Sequence, residues 1–62
     1  MKIDKQKIRK CLLRKGMAAC QVSVKLHYAP SWLGTCIYRG RINEDGCRAL
    51  ESMGIKREEY KA

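Results

Sequence analysis

Four cysteines and one histidine are the residues of this 62-residue chain best suited to chemistry, and the chemistry they suggest is metal binding or a thiolate nucleophile. Cys11, Cys20, Cys36 and Cys47 are spread out, with no two near neighbours, whereas a structural zinc site needs closely paired ligands. A Cys–His nucleophile could be assembled from His27 with Cys20 or Cys36, because a catalytic thiolate requires a nearby base. A chain this short leaves little room for a substrate pocket. The pairs Glu44-Asp45 and Glu58-Glu59 are adjacent in sequence, so on a helix they point in different directions rather than at one substrate. They read as charges at helix starts. Each cysteine stands beside apolar residues and reads as a small core residue rather than as part of a disulfide framework. The expectation is a non-enzymatic protein with no catalytic residue, metal, cofactor or small-molecule substrate.

Charge is distributed unevenly. From Met1 to Arg41, six lysines and four arginines face Asp4 alone, a net +9; from Ile42 to Ala62 the balance is −1. A positive field confined to the first two-thirds of the chain suits a phosphate backbone, through counterion release and screened attraction. The bland alternative is a solvated basic face that aids solubility. No stretch after Met1-Lys2-Ile3-Asp4 reads as a secretory signal, and none is apolar enough to span a bilayer, so a cytoplasmic protein without membrane contact is expected.

These residues must be positioned by short helices. Asp4 can cap a first helix, in which Ile8, Cys11, Leu12 and Lys15 recur at three- and four-residue spacing, and Gly16 ends it. Ala18, Ala19, Val22 and Leu26 suggest a second helix that stops near His27. Ala29-Pro30-Ser31 restarts the chain into a third, since proline is tolerated in a first helical turn. Leu33, Cys36 and Ile37 supply its buried stripe, with Trp32, Gly34, Thr35 and Tyr38 to the sides or outward. Gly34, costly inside a helix, suggests close approach to another backbone. After the turn Arg39-Gly40-Arg41-Ile42, Asn43 caps a fourth helix with Cys47, Leu50 and Met53 inward, stopped at Gly54. The tail predicts one more turn anchored by Tyr60. The result is one all-α domain, residues 1–62, of four to five short helices with little support for strands.

The segment from Arg9 to Tyr60 resembles the Cro/C1-type, or Xre-type, helix-turn-helix regulators of phages and bacteria. The resemblance rests on Ala29-Pro30-Ser31-Trp32-Leu33, similar to the opening of that family's recognition helix, then on Arg39-Gly40-Arg41, and on Ala49-Leu50-Glu51-Ser52-Met53-Gly54-Ile55. This chain departs from the pattern in having Ala18 and Ala19 at the start of the second helix, Ser23 in place of an alanine, His27 in place of a turn glycine, and Leu12 and Ile37 where many members have an arginine–glutamate pair. The glutamines and arginines that usually contact bases are largely missing from the third helix.

The resemblance implies a compact lambda-repressor-like domain that acts as a sequence-specific transcriptional regulator, a homodimer on double-stranded DNA, with a recognition helix from about Pro30 to Tyr38 in the major groove. On that reading Ser31, Trp32, Gly34 and Thr35 meet bases, with Ser31 and Thr35 the polar readers and Gly34 letting the helix sit deep. Trp32 either packs beside the sugar-phosphate wall or closes the edge of the core. Lys25, Tyr38, Arg39 and Arg41 are placed for phosphates, as are backbone amides at the helix starts near Ala19 and Asn43. The dimer surface is expected around Gly54 to Tyr60. The alternative is a protein-interaction module that keeps this fold to bind another regulator or a toxin-like partner. RNA binding lacks the aromatic platform that single-strand readers use.

Overall fold

The computed structural model describes all 62 residues, Met1–Ala62. Four helices follow in order, α1 (Lys5–Lys15), α2 (Ala19–Lys25), α3 (Trp32–Arg39) and α4 (Glu44–Ser52), and a 3-10 turn (Arg57–Glu59) closes the chain. This is the all-α domain that the periodicity predicts, and no helix is long and apolar enough to cross a membrane.

Local chemistry explains where the helices begin and end. The Asp4 carboxylate accepts from the amides of Gln6 and Lys7 at 2.9 and 3.0 Å, and the Asn43 side chain accepts from the Gly46 amide at 2.8 Å. Each satisfies amides that the first turn leaves unpaired. At the other ends, Gly16, His27, Gly40 and Gly54 each take a left-handed conformation. After α3, for example, the Gly40 amide donates to the Ile37 carbonyl at 3.1 Å and the Arg41 amide to Cys36 at 3.2 Å, which satisfies the last carbonyls. His27 does the same work at φ 66° without glycine's freedom, at a cost of about 1–2 kcal/mol.

Helix α3 starts at Trp32, two residues later than Pro30 suggests, and runs one residue further, to Arg39. Pro30 and Ser31 form the preceding turn. Ser31 occupies the N-cap position, but its side chain makes no capping hydrogen bond. That role falls to α2. The fully buried Ser23 hydroxyl donates to the Ala19 carbonyl at 2.9 Å and accepts from the Leu33 amide at 2.9 Å.

The core is built from Ile8, Cys11 and Leu12 of α1, Val22 of α2, Leu33 and Ile37 of α3, Cys47 and Leu50 of α4, and Ile3, Ile42, Ile55 and Tyr60 from the connecting segments. Leu12 and Ile37 are both buried members of this core. The N-terminal segment enters this core through short pairings that the helical periodicity does not announce. Lys2 bridges to Arg41 and Ile3 to Lys61, and the Asp4 amide donates to the Tyr60 carbonyl at 2.8 Å. Cys20 departs from its expected core place and is exposed, because it falls on the outer side of α2 from Val22 and Ser23.

Gly46 is the tightest position in the packing. A Cβ there would lie 2.7 Å from Ile42 Cγ1, 2.8 Å from Trp32 Cζ2 and 3.0 Å from Asn43 Oδ1. Gly46→Ala is therefore expected to lower stability by about 1–3 kcal/mol from overpacking, offset by roughly 1 kcal/mol of helix propensity. A shift in Trp32 emission should accompany the loss in a urea titration. An alanine variant as stable as the parent, with unchanged emission, would overturn this reading of the packing.

Candidate nucleic-acid interface

Helix α3 presents three distinct sides. Leu33 and Ile37 point into the core, Ser31, Gly34, Thr35 and Tyr38 are exposed, and Trp32 and Cys36 are half-buried along one flank. Ser31 and Thr35 stand four residues apart and so lie one above the other on the outward face. Because Ser23 supplies the hydrogen bond to the Leu33 amide, the Ser31 hydroxyl is left free to meet a partner outside the chain.

Beside this face lies an open cleft of about 770 Å3, lined by Tyr28 ahead of α3, Trp32, Thr35 and Arg39 of α3, and Arg41 and Asn43 after it. It gathers five of the residues singled out from sequence: Trp32, Thr35, Arg39, Arg41 and Asn43. Ser31, Gly34 and Tyr38 lie outside it. Lys25 lines a separate groove of about 430 Å3 with Cys20, Val24 and Pro30. Ala19 is half-buried at the start of α2, and its carbonyl is taken by Ser23.

Several of these positions differ in detail from what the sequence suggests. The Trp32 ring stacks on Tyr28, with centroids 4.0 Å apart and planes 9° from parallel, while its Cζ2 edge faces Gly46. It packs within the fold and also contributes an edge to the cleft. Gly34 approaches no other part of the chain, since a Cβ there would meet nothing within 4 Å. The Asn43 side chain is occupied by the Gly46 amide, and the first turn of α4 carries Glu44 and Asp45 as its own negative charge. The apolar residues of the stretch from Gly54 to Tyr60 turn inward, with Ile55 and Tyr60 fully buried.

Electrostatics separate the cations into two sets. The four ion pairs join Arg14 to Glu59, Arg48 to Glu44, and Arg57 to Glu44 and Glu51, the last two at 2.6 and 2.7 Å. All involve acids of α4 or the C-terminal turn. Hydrogen bonding from Arg57 and from Arg14 holds the Glu44 and Glu59 carboxyls below the ordinary carboxylate range, so these acids stay ionised and committed to their partners. Lys25, Arg39 and Arg41 take part in none of these pairs. Burial pushes the Cys36 thiol up, the opposite of what a reactive thiolate needs. His27 stands exposed at the α2–α3 turn, and no three of the His, Cys, Asp and Glu side chains come together in a way that could hold a metal ion.

Sequence reasoning passed over Ser23, Gly46 and Tyr28. Only Ser23 carried a signal, as a polar residue where the resembled family keeps alanine. No protein-family model matches the chain, and no curated protein or solved structure matches it.

Proposed function

We propose that this protein is a sequence-specific DNA-binding transcriptional regulator of the lambda-repressor-like, Cro/C1 (Xre) type, non-enzymatic and acting in the cytoplasm. Helix α3 lies in the major groove, and α2 crosses the backbone before it. The observation that carries this reading is the pairing of an outward Ser31/Thr35 face on α3 with Arg39 and Arg41 at its edge, both free of acidic partners. Hydroxyls can donate or accept at base edges, and the Thr35 methyl can meet a thymine methyl. The two guanidiniums, with Lys25 at the end of α2, contact phosphates and fix register without selecting sequence. One domain of this size covers little DNA, so the regulator acts as a homodimer on an inverted repeat.

The test is fluorescence anisotropy of a labelled random-sequence duplex titrated with the protein across salt. The parent is expected to bind with a steep salt dependence, and Arg39→Ala with Arg41→Ala to reduce the slope of log K against log salt by about 2. Absence of binding at low salt would sink the proposal. That outcome would favour the second reading, a module that binds another regulator or a toxin-like protein, for which Leu13 and Val24, 80 % and 55 % exposed, supply apolar surface.

A further inference from the structure

Helix α1 carries its own strongly basic surface, and the fold treats its two flanks differently. One flank is covered by the C-terminal turn: Arg14 pairs with Glu59, the Cys11 thiol lies 3.7 Å from the Glu59 carbonyl, and Lys7 Nζ donates to the Lys61 carbonyl at 3.4 Å. The other flank faces α3. Lys5 and Arg9 stand there four residues apart, both exposed, and neither belongs to an ion pair. The Lys5 ammonium lies 5.8 Å from the centre of the Tyr38 ring, which is itself 83 % exposed on α3.

On α3, Tyr38 and Arg39 occupy opposite sides of the outward face that Ser31 and Thr35 define, since successive residues turn by about 100°. Arg39 and Arg41 both line the cleft, which flanks one side of that face. Tyr38 connects the other side to α1. A helix about 10–12 Å across with its side chains fills a major groove about 12 Å wide, and phosphates run along both walls of that groove.

We infer that Lys5 and Arg9 of α1 are a second phosphate-contacting strip, which grips the DNA strand opposite the one met by Arg39 and Arg41. The inference rests on the DNA-binding reading and extends it to a face of the protein that nothing in the helix-turn-helix segment includes. Tyr38 links the two surfaces, its ring holding the Lys5 ammonium beside α3. The partner is the duplex backbone, recognised by charge and spacing rather than by sequence.

The experiment compares the salt dependence of duplex binding, by anisotropy, for the parent chain, Lys5→Gln/Arg9→Gln, Arg39→Ala/Arg41→Ala and the control Lys10→Gln/Lys15→Gln, each first shown to be folded by circular dichroism. The first double variant is expected to flatten the slope by about 2 and to weaken binding about tenfold at moderate salt. The control removes the same charge from elsewhere on α1 and is expected to keep nearly the parent slope. A parent-like slope for Lys5→Gln/Arg9→Gln, beside a flattened one for Arg39→Ala/Arg41→Ala, would overturn the inference and leave the DNA-binding reading standing. Equal losses in the control would also overturn it, because net charge rather than placement would then be responsible. No binding by the parent would remove both.

Discussion

Tyr60→Ala is expected to remove most of the domain's stability, whereas Tyr60→Phe should fold at least as well as the parent. The Tyr60 side chain is completely buried although it stands two residues before the last, and its carbonyl receives the Asp4 amide that leads into α1. Truncating a buried aromatic to alanine costs about 3–5 kcal/mol. A 62-residue domain has roughly 3–9 kcal/mol in total. Losing the ring also frees the segment that pairs Ile3 with Lys61, so both chain ends should loosen together. The phenylalanine variant separates ring from hydroxyl. The Tyr60 hydroxyl is buried without a hydrogen-bond partner, and that burial, with Cys47 beside it, pushes the phenol well above its ordinary range. Removing an unsatisfied polar atom relieves a desolvation cost of about 1–3 kcal/mol. Urea unfolding of both variants, followed by circular dichroism, checks the pair. A phenylalanine variant clearly less stable than the parent would mean that the adjacent Cys47 thiol satisfies the hydroxyl.

Ser23→Ala should lower stability and, on the DNA-binding proposal, duplex affinity as well, and Ser31→Ala should affect only the second. Without the Ser23 hydroxyl, the Leu33 amide at the start of α3 is buried with no acceptor, a cost of about 1–3 kcal/mol. At about 4–8 °C of melting temperature per kcal/mol in a domain this small, the change is easily read by thermal unfolding. The bond also sets how α3 leaves α2, so duplex affinity should fall even at temperatures where the variant remains folded. Ser31 has the position of a helix cap without the bond. Its replacement should leave the melting temperature unchanged and weaken discrimination between duplex sequences. Loss of stability at Ser31, or none at Ser23, would reverse the assignment of the cap.

Much of the fold was legible in single residues. Asp4 and Asn43 announce helix starts because their side chains satisfy amides two and three positions ahead, and Gly16, Gly40 and Gly54 announce helix ends because a left-handed residue is needed there. Those interactions span only a few residues, so spacing along the chain reveals them. The concentration of net positive charge in the first 41 residues was equally visible. Part of the candidate site was legible as well, since Thr35, Arg39 and Arg41 line one cleft.

The remainder depends on partners far apart in sequence. Periodicity could not show that Ser23 would cap a helix ten residues on, that Gly46 would make room for Trp32, or that Ile3 would be drawn into the core by the last residues of the chain. Nor could composition say which cations would remain free. The acids of α4 and the C-terminal turn are within reach of Arg14, Arg48 and Arg57 only after folding, and this leaves Lys5, Arg9, Arg39 and Arg41 without acidic partners. Sequence by itself determined the helices and the excess of positive charge, through short-range hydrogen bonds and residue counts. The tertiary structure alone decided where that charge is exposed, because ion pairing, burial and the direction a side chain faces are set by which surfaces close on one another.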